Sequence, residues 1–149
     1  MIDQSKIGQS FPAFSFEVTR GKIHELALAI GDLNPIYHSK EAAQAAGFPD
    51  VPLFPTSPTT FSFWADTGGG RRMADLGIDM SRALHGEEQY EYLAPIYAGD
   101  TVTGVTTLVE GKTRQGSNGA PMDILTTETR YTNQNGQPVL NVRRMAVVI

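Results

Sequence analysis

From Leu84 to its last residue the chain reads as a succession of strands, and this change of character near mid-length constrains the fold more than any other feature. The stretches Gln89-Tyr90-Glu91-Tyr92, Thr101 to Val109, Ile124 to Thr132 and Val139 to Ile149 contain β-branched or aromatic residues. Turn residues bound them: Gly99-Asp100, Ser117-Asn118-Gly119 and Asn135-Gly136. Such runs suit a pleated, half-buried surface, and an Asn-Gly step between two of them is the strongest short-range hairpin signal.

Ahead of the strands the periodicity is helical. Ile23, Leu26, Ala27 and Ile30 fall at i, i+3, i+4, i+7, with Thr19 placed as N-cap, and predict a helix from Arg20 to Ile30. It stops at Gly31-Asp32, because Pro35 has no N–H to give and biases Asn34 away from helix. Asp32 to His38 is therefore a turn. Ser39 caps a second short helix, KEAAQAA, which Gly47 closes. Pro49, Pro52 and Pro55 then impose an irregular path up to Thr59. Phe61, Phe63, Trp64 and Ala65 support a third helix, interrupted by Gly68-Gly69-Gly70, with a further helical piece around Arg71 to Leu76. Helices gathered early and antiparallel strands gathered late point to an α+β domain with the helical part on one sheet face.

At 149 residues, without repeat or charged linker, the chain fits one domain spanning 1–149. A domain of that size buries about 68–70% of its unfolded surface and needs no staples. There is no cysteine, which removes disulfides, thiolate metal sites and a cysteine nucleophile. A net charge of −4, with acids and bases interspersed, argues against nucleic acid as a partner. No run approaches the eighteen or so apolar residues of a membrane span, so no membrane partner is expected. The opening MIDQSKIGQSF does not read as a secretory signal, which makes a cytoplasmic location the expectation.

The densest polar cluster is Gly31-Asp32-Leu33-Asn34-Pro35-Ile36-Tyr37-His38. A carboxylate, an amide, a phenol and an imidazole in one turn can be aimed at one small volume. The same residues also serve plain turns, where Asp and Asn satisfy nearby backbone groups and Pro stops a helix.

GDLNPIYH followed by EAAQAAGF resembles the signature of MaoC-like (R)-specific enoyl-CoA hydratases and 3-hydroxyacyl dehydratases, Gly-Asp-x-Asn-Pro-aliphatic-His. A second block, LHGEEQYEYLAPIYAGDTV, is similar to the strand and turn after the central helix in the MaoC dehydratase N-terminal-domain subgroup. The likeness runs from Ile7 to the last strand. It implies a hot-dog fold, a curved antiparallel sheet wrapped around a central helix, here Thr59 to Ala65 and its continuation. It also implies a homodimer, or a heterodimer with a related chain, and an acyl tunnel overhung by the motif turn and lined from the central helix.

The reaction so implied adds water to, or removes it from, a 2-enoyl or 3-hydroxyacyl thioester of coenzyme A or acyl carrier protein. A carboxylate and a histidine handle the protons, backbone N–H groups at the start of the central helix meet the enolate charge, and no metal or other cofactor is required. Carried over by position, Asp32 is the family aspartate and Asn34 orders the turn that Gly31 opens. Tyr37 occupies the family histidine position, and His38 follows one residue later. The family's Ala-His-Gly has no match in LFPTSPTTF.

Two functions follow. One is a hydratase or dehydratase in which Asp32 and His38 are catalytic and Tyr37 and His85 support the substrate. The other is a non-catalytic acyl-binding or stabilising subunit of a heteromeric dehydratase. His85 sits before Gly86 at a strand entrance, where a histidine also finds a neighbouring acceptor readily. His24 reads as solvated, Arg71, Arg72, Arg114, Arg143 and Arg144 mostly as surface charge, of which a pair could meet the phosphates of coenzyme A, and Phe61, Phe63 and Trp64 as core or tunnel wall.

Overall fold

The structure is a computed structural model, and it describes residues 3–65, 79–116 and 119–149. The expected glycine run 68–70 and the helical piece at 71–76 lie outside the described residues.

Five strands make one antiparallel sheet: β1 Phe14–Glu17, β2 Ala83–Tyr92, β3 Thr101–Gln115, β4 Pro121–Thr132 and β5 Pro138–Val148, in the order β1-β3-β4-β5-β2. All four expected strands are present. β2 and β3 run well beyond their expected ends, because cross-strand pairs such as Lys112 with Ile124 and His85 with Ala146 keep polar stretches in the ladder. β1 was not anticipated, although Phe14-Ser15-Phe16-Glu17 alternates with the period of a strand. The Asn-Gly hairpin forms between β4 and β5. Gly136 takes φ 74°, and the Asn133 side chain accepts from the backbone N–H of Asn135 and Gln137 at 3.0 and 3.1 Å.

Helix α1 spans Arg20–Ile30 as expected, with Thr19 Oγ1 accepting from the Lys22 N–H at 3.3 Å. Ile23 and Ala27 are fully buried, but Ile30 is 53% exposed, so the apolar face is shorter than its periodicity implied. The last turn of α1 leaves Leu28 and Ile30 uncovered, beside an exposed Leu33. Helix α2, Lys40–Ala45, starts on the Ser39 cap.

The third helix is short. A 3-10 turn over Ser57–Thr60 leads into α3, Phe61–Trp64. Phe61 is buried and its ring lies 4.7 Å from Phe16 and 5.4 Å from Tyr131. Trp64, three residues on, shares that face and meets Phe16 edge-on at 5.9 Å. Phe63 was expected in the core or tunnel wall and is instead 83% exposed. On a single helical turn it cannot share a face with both Phe61 and Trp64. Sheet, α1, α2 and α3 close around one core that includes Val18, Ile23, Val51, Phe61, Val102 and Leu140.

Candidate functional site

The motif turn is built by helix termination. Gly31 adopts φ 75°, the left-handed conformation that costs glycine least, and its N–H reaches the Leu28 carbonyl at 3.1 Å. The Asp32 N–H then closes back on the Ala27 carbonyl at 2.9 Å, which aims the next residues off the helix end. One oxygen of the Asp32 carboxylate accepts from the Asn34 N–H at 2.8 Å, and Asn34 Oδ1 accepts from the Ile36 N–H at 3.3 Å. With Pro35 as its first residue, a 3-10 turn over Pro35–Tyr37 carries the chain to His38 and the α2 cap.

His38 is held from both sides. Its Nε2 lies 2.7 Å from the Asp32 carbonyl oxygen, which can only accept, so Nε2 carries a proton and donates. Its Nδ1 lies 2.8 Å from Nδ1 of His24 on α1, with the rings 88° apart. Both ring nitrogens are thus spent inside the fold. His24, expected to be solvated, is a partner of the motif histidine. The signal that could have found it is its place on α1, less than two turns ahead of the helix end that the motif caps.

Tyr37 points elsewhere. Its ring centroid is 4.8 Å from that of Phe54, and burial, followed by the nearby Asp32 carboxylate, pushes its phenol above the ordinary tyrosine range. Leu53 and Pro55, on either side of Phe54, line an apolar cavity of about 450 Å³. Phe48 and Pro52 complete one wall, and Tyr92, Leu93 and Ile96 stand in the other. The walls are tied by backbone bonds, Leu53 N–H to Ile96 O and Ala98 N–H to Val51 O, each 2.9 Å. Tyr92 donates to the Pro55 carbonyl at 2.8 Å, and burial raises its phenol strongly. This cavity is lined by residues within 48–55 and 92–97, and the continuation of the central helix, from which a tunnel lining is expected, lies outside the described residues.

His85 is not brought into the turn. It lies on β2, 57% exposed, with Nε2 3.5 Å from a carboxylate oxygen of Glu88. Glu88 is almost wholly buried and takes a guanidinium from β5: Arg144 Nε donates at 2.9 Å and Nη2 makes a second, shorter contact. Arg144 Nη2 also reaches the Pro58 carbonyl at 3.5 Å, so this arginine is structural rather than surface charge. Burial and the Glu88 carboxylate push the phenol of Tyr90 beside it up to about 12. Gly86 sits in a bulge of β2, where a Cβ would come within 3.0 Å of Met145 Cε and 3.2 Å of Met145 O.

The long curved sheet and the short helix packed across it define a hot-dog protein. The chain belongs to the FAS1-like dehydratase domain region family, which it matches over residues 5–142. A UPF0336 protein of Streptomyces coelicolor is 38% identical over 93% of this chain and 89% of its own. Among solved structures, the truncated HadBC (3R)-hydroxyacyl-ACP dehydratase complex of Mycobacterium tuberculosis is similar with a TM-score of 0.77 at 23% identity, covering 95% of this chain and 96% of that one. A MaoC-like dehydratase gives 0.81 at 24% identity over 98% of this chain and 43% of the other. At these identities the structural likeness speaks for the fold, and the family match carries the dehydratase and hydratase class. No described helix is long and apolar enough to cross a membrane.

Proposed function

We propose that this chain is an acyl-binding subunit of a (3R)-hydroxyacyl-thioester dehydratase, and that it works with a second hot-dog chain that supplies the general base. The observation that carries the reading is the state of His38. A base must present a free nitrogen within hydrogen-bond reach of the water it activates. Here one nitrogen donates to the Asp32 carbonyl and the other is engaged by His24. The residue at the family histidine position is Tyr37, whose raised phenol is neutral at physiological pH and unsuited to accept a proton there. What the chain offers is apolar contact, a cavity of about 450 Å³ whose few polar groups include the Tyr92 hydroxyl, itself turned to Pro55. A thioester of coenzyme A or acyl carrier protein would place its acyl chain against that wall.

The partner reading draws on uncovered apolar groups. Leu28, Ile30, Leu33 and Phe63 are each more than half exposed, a distribution that suits a chain completed by another subunit. The complex similar to this fold is itself a pair of dehydratase chains, named HadBC. A self-contained hydratase has one observation in its favour: Asp32 Oδ1 accepts from the Asn34 N–H, and among the described residues Oδ2 has no hydrogen-bond partner.

Purified alone and given crotonyl-CoA, the chain is expected to leave the enoyl-thioester absorbance unchanged while still binding long-chain acyl-CoA. Turnover by the chain alone overturns the subunit reading and returns Asp32 and His38 to the catalytic roles that the motif implies.

A further inference from the structure

Two imidazoles from different elements meet nitrogen to nitrogen at the motif turn. His24 Nδ1 and His38 Nδ1 are 2.8 Å apart, and that distance is attractive only when a single proton lies between them. Two bare nitrogens would oppose lone pairs, and two protonated ones would oppose donors. Donation from His38 Nε2 to the Asp32 carbonyl fixes the rest. A neutral His38 then has a bare Nδ1, so His24 Nδ1–H is the donor and His24 Nε2 is left without a proton.

We infer that His24 is a positioning residue, which holds the motif turn, and with it Tyr37 against Phe54, through the one proton shared between its Nδ1 and that of His38. The inference rests on the functional reading only in its last step, that the cavity bounded by Leu53 and Pro55 takes the acyl chain. Tyr37 is the residue immediately before His38 and packs on Phe54, which lies between those two lining residues, so release of the imidazole frees Tyr37 from that wall.

Among the described residues no charged side chain competes with this bond for either imidazole. On α1, Lys22 lies over the Trp64 ring and Glu25 is exposed. On the turn, the Asp32 carboxylate is bonded to the Asn34 N–H, and Tyr37 is neutral. On α2, Lys40 pairs with Asp50 and Glu41 accepts from the Ser39 hydroxyl. Among the described residues no acidic side chain joins the two imidazoles in a cluster of three.

The test uses the full chain with ¹⁵N-labelled histidine, followed by long-range ¹H–¹⁵N spectra recorded at about pH 8, where free imidazole is neutral. The expected spectrum has His38 protonated on Nε2 and His24 on Nδ1, the tautomer that free imidazole disfavours. Two rings that both carry Nε2–H overturn the inference. Affinity for dodecanoyl-CoA at the same pH provides the second arm. His24→Ala should bind about 10-fold more weakly than wild type, a change of about 1.4 kcal/mol. His24→Asn places an amide N–H where Nδ1 was and should retain the wild-type affinity. If His24→Ala binds as wild type does, His24 is not the positioning residue. If wild type binds no acyl-CoA, the functional reading fails, and the spectra decide the histidine pair by themselves.

Discussion

Two polar clusters in this chain each contain a carboxylate and do opposite things. In the motif turn, Asp32, Asn34 and His38 bond to groups no more than six residues away, apart from the link to His24, and the result is a shaped loop. At the β2 edge, Glu88 and Arg144 are 56 residues apart and Arg144 and Pro58 are 86 apart, and the result is a clamp between β2, its neighbour β5 and the approach to α3. The first cluster sets local geometry, while the second joins elements that the chain visits at different times. A conspicuous run of polar letters is therefore no measure of how much of the structure depends on it.

That contrast is sharpest for stability. Arg144→Ala leaves the nearly buried Glu88 carboxylate without its guanidinium, a change that typically costs about 3–5 kcal/mol when a buried pair loses one partner. Urea unfolding should show a loss near the lower end, because Arg144 is partly exposed; a loss below about 0.5 kcal/mol would make the clamp ornamental. Next in size is a change at the cavity. Leu93→Arg, at a half-exposed site on its wall, should exclude about four acyl methylenes at about 0.8 kcal/mol each, lowering dodecanoyl-CoA affinity roughly 200-fold with little effect on folding. Equilibrium titration checks it, and unchanged affinity would place the acyl chain elsewhere.

Within the turn the expected effects are smaller. Asn34→Ala removes the acceptor for the Ile36 N–H and should cost about 1 kcal/mol, read as a shift in the urea midpoint. Asp32→Asn retains an oxygen for the Asn34 N–H and should change neither stability nor the turnover of a reconstituted complex by more than about a factor of two. A fall of about 10²–10⁴ in turnover, the contribution of a positioned acid or base, would reverse the comparison and make the turn the catalytic cluster.

Legibility followed the range of the contacts. Helix α1 with both its ends, the Ser39 cap and the Asn135-Gly136 hairpin were readable because each depends on residues within about five positions. β1 was missed because four residues give a weak alternation, and only pairing with β3 makes them a strand. Phe63 was misplaced because α3 has a single turn, too short for apolar composition to show which ring faces in. The pairing of His24 with His38 needed the folded position of the turn against α1. Glu88 and Arg144 carried no sequence signal at all, since nothing local links a residue of β2 to one of β5.

The bulge at Gly86 has a further consequence for how this sheet can grow. β2 is an edge strand of ten residues, while the opposite edge, β1, has only four. A long straight edge is a template on which any extended chain can deposit, and repeated deposition is the beginning of a fibril. The bulge between His85 and Glu87 breaks that template into two short runs. An edge so interrupted is a poorer template for indiscriminate addition than a straight one of the same length.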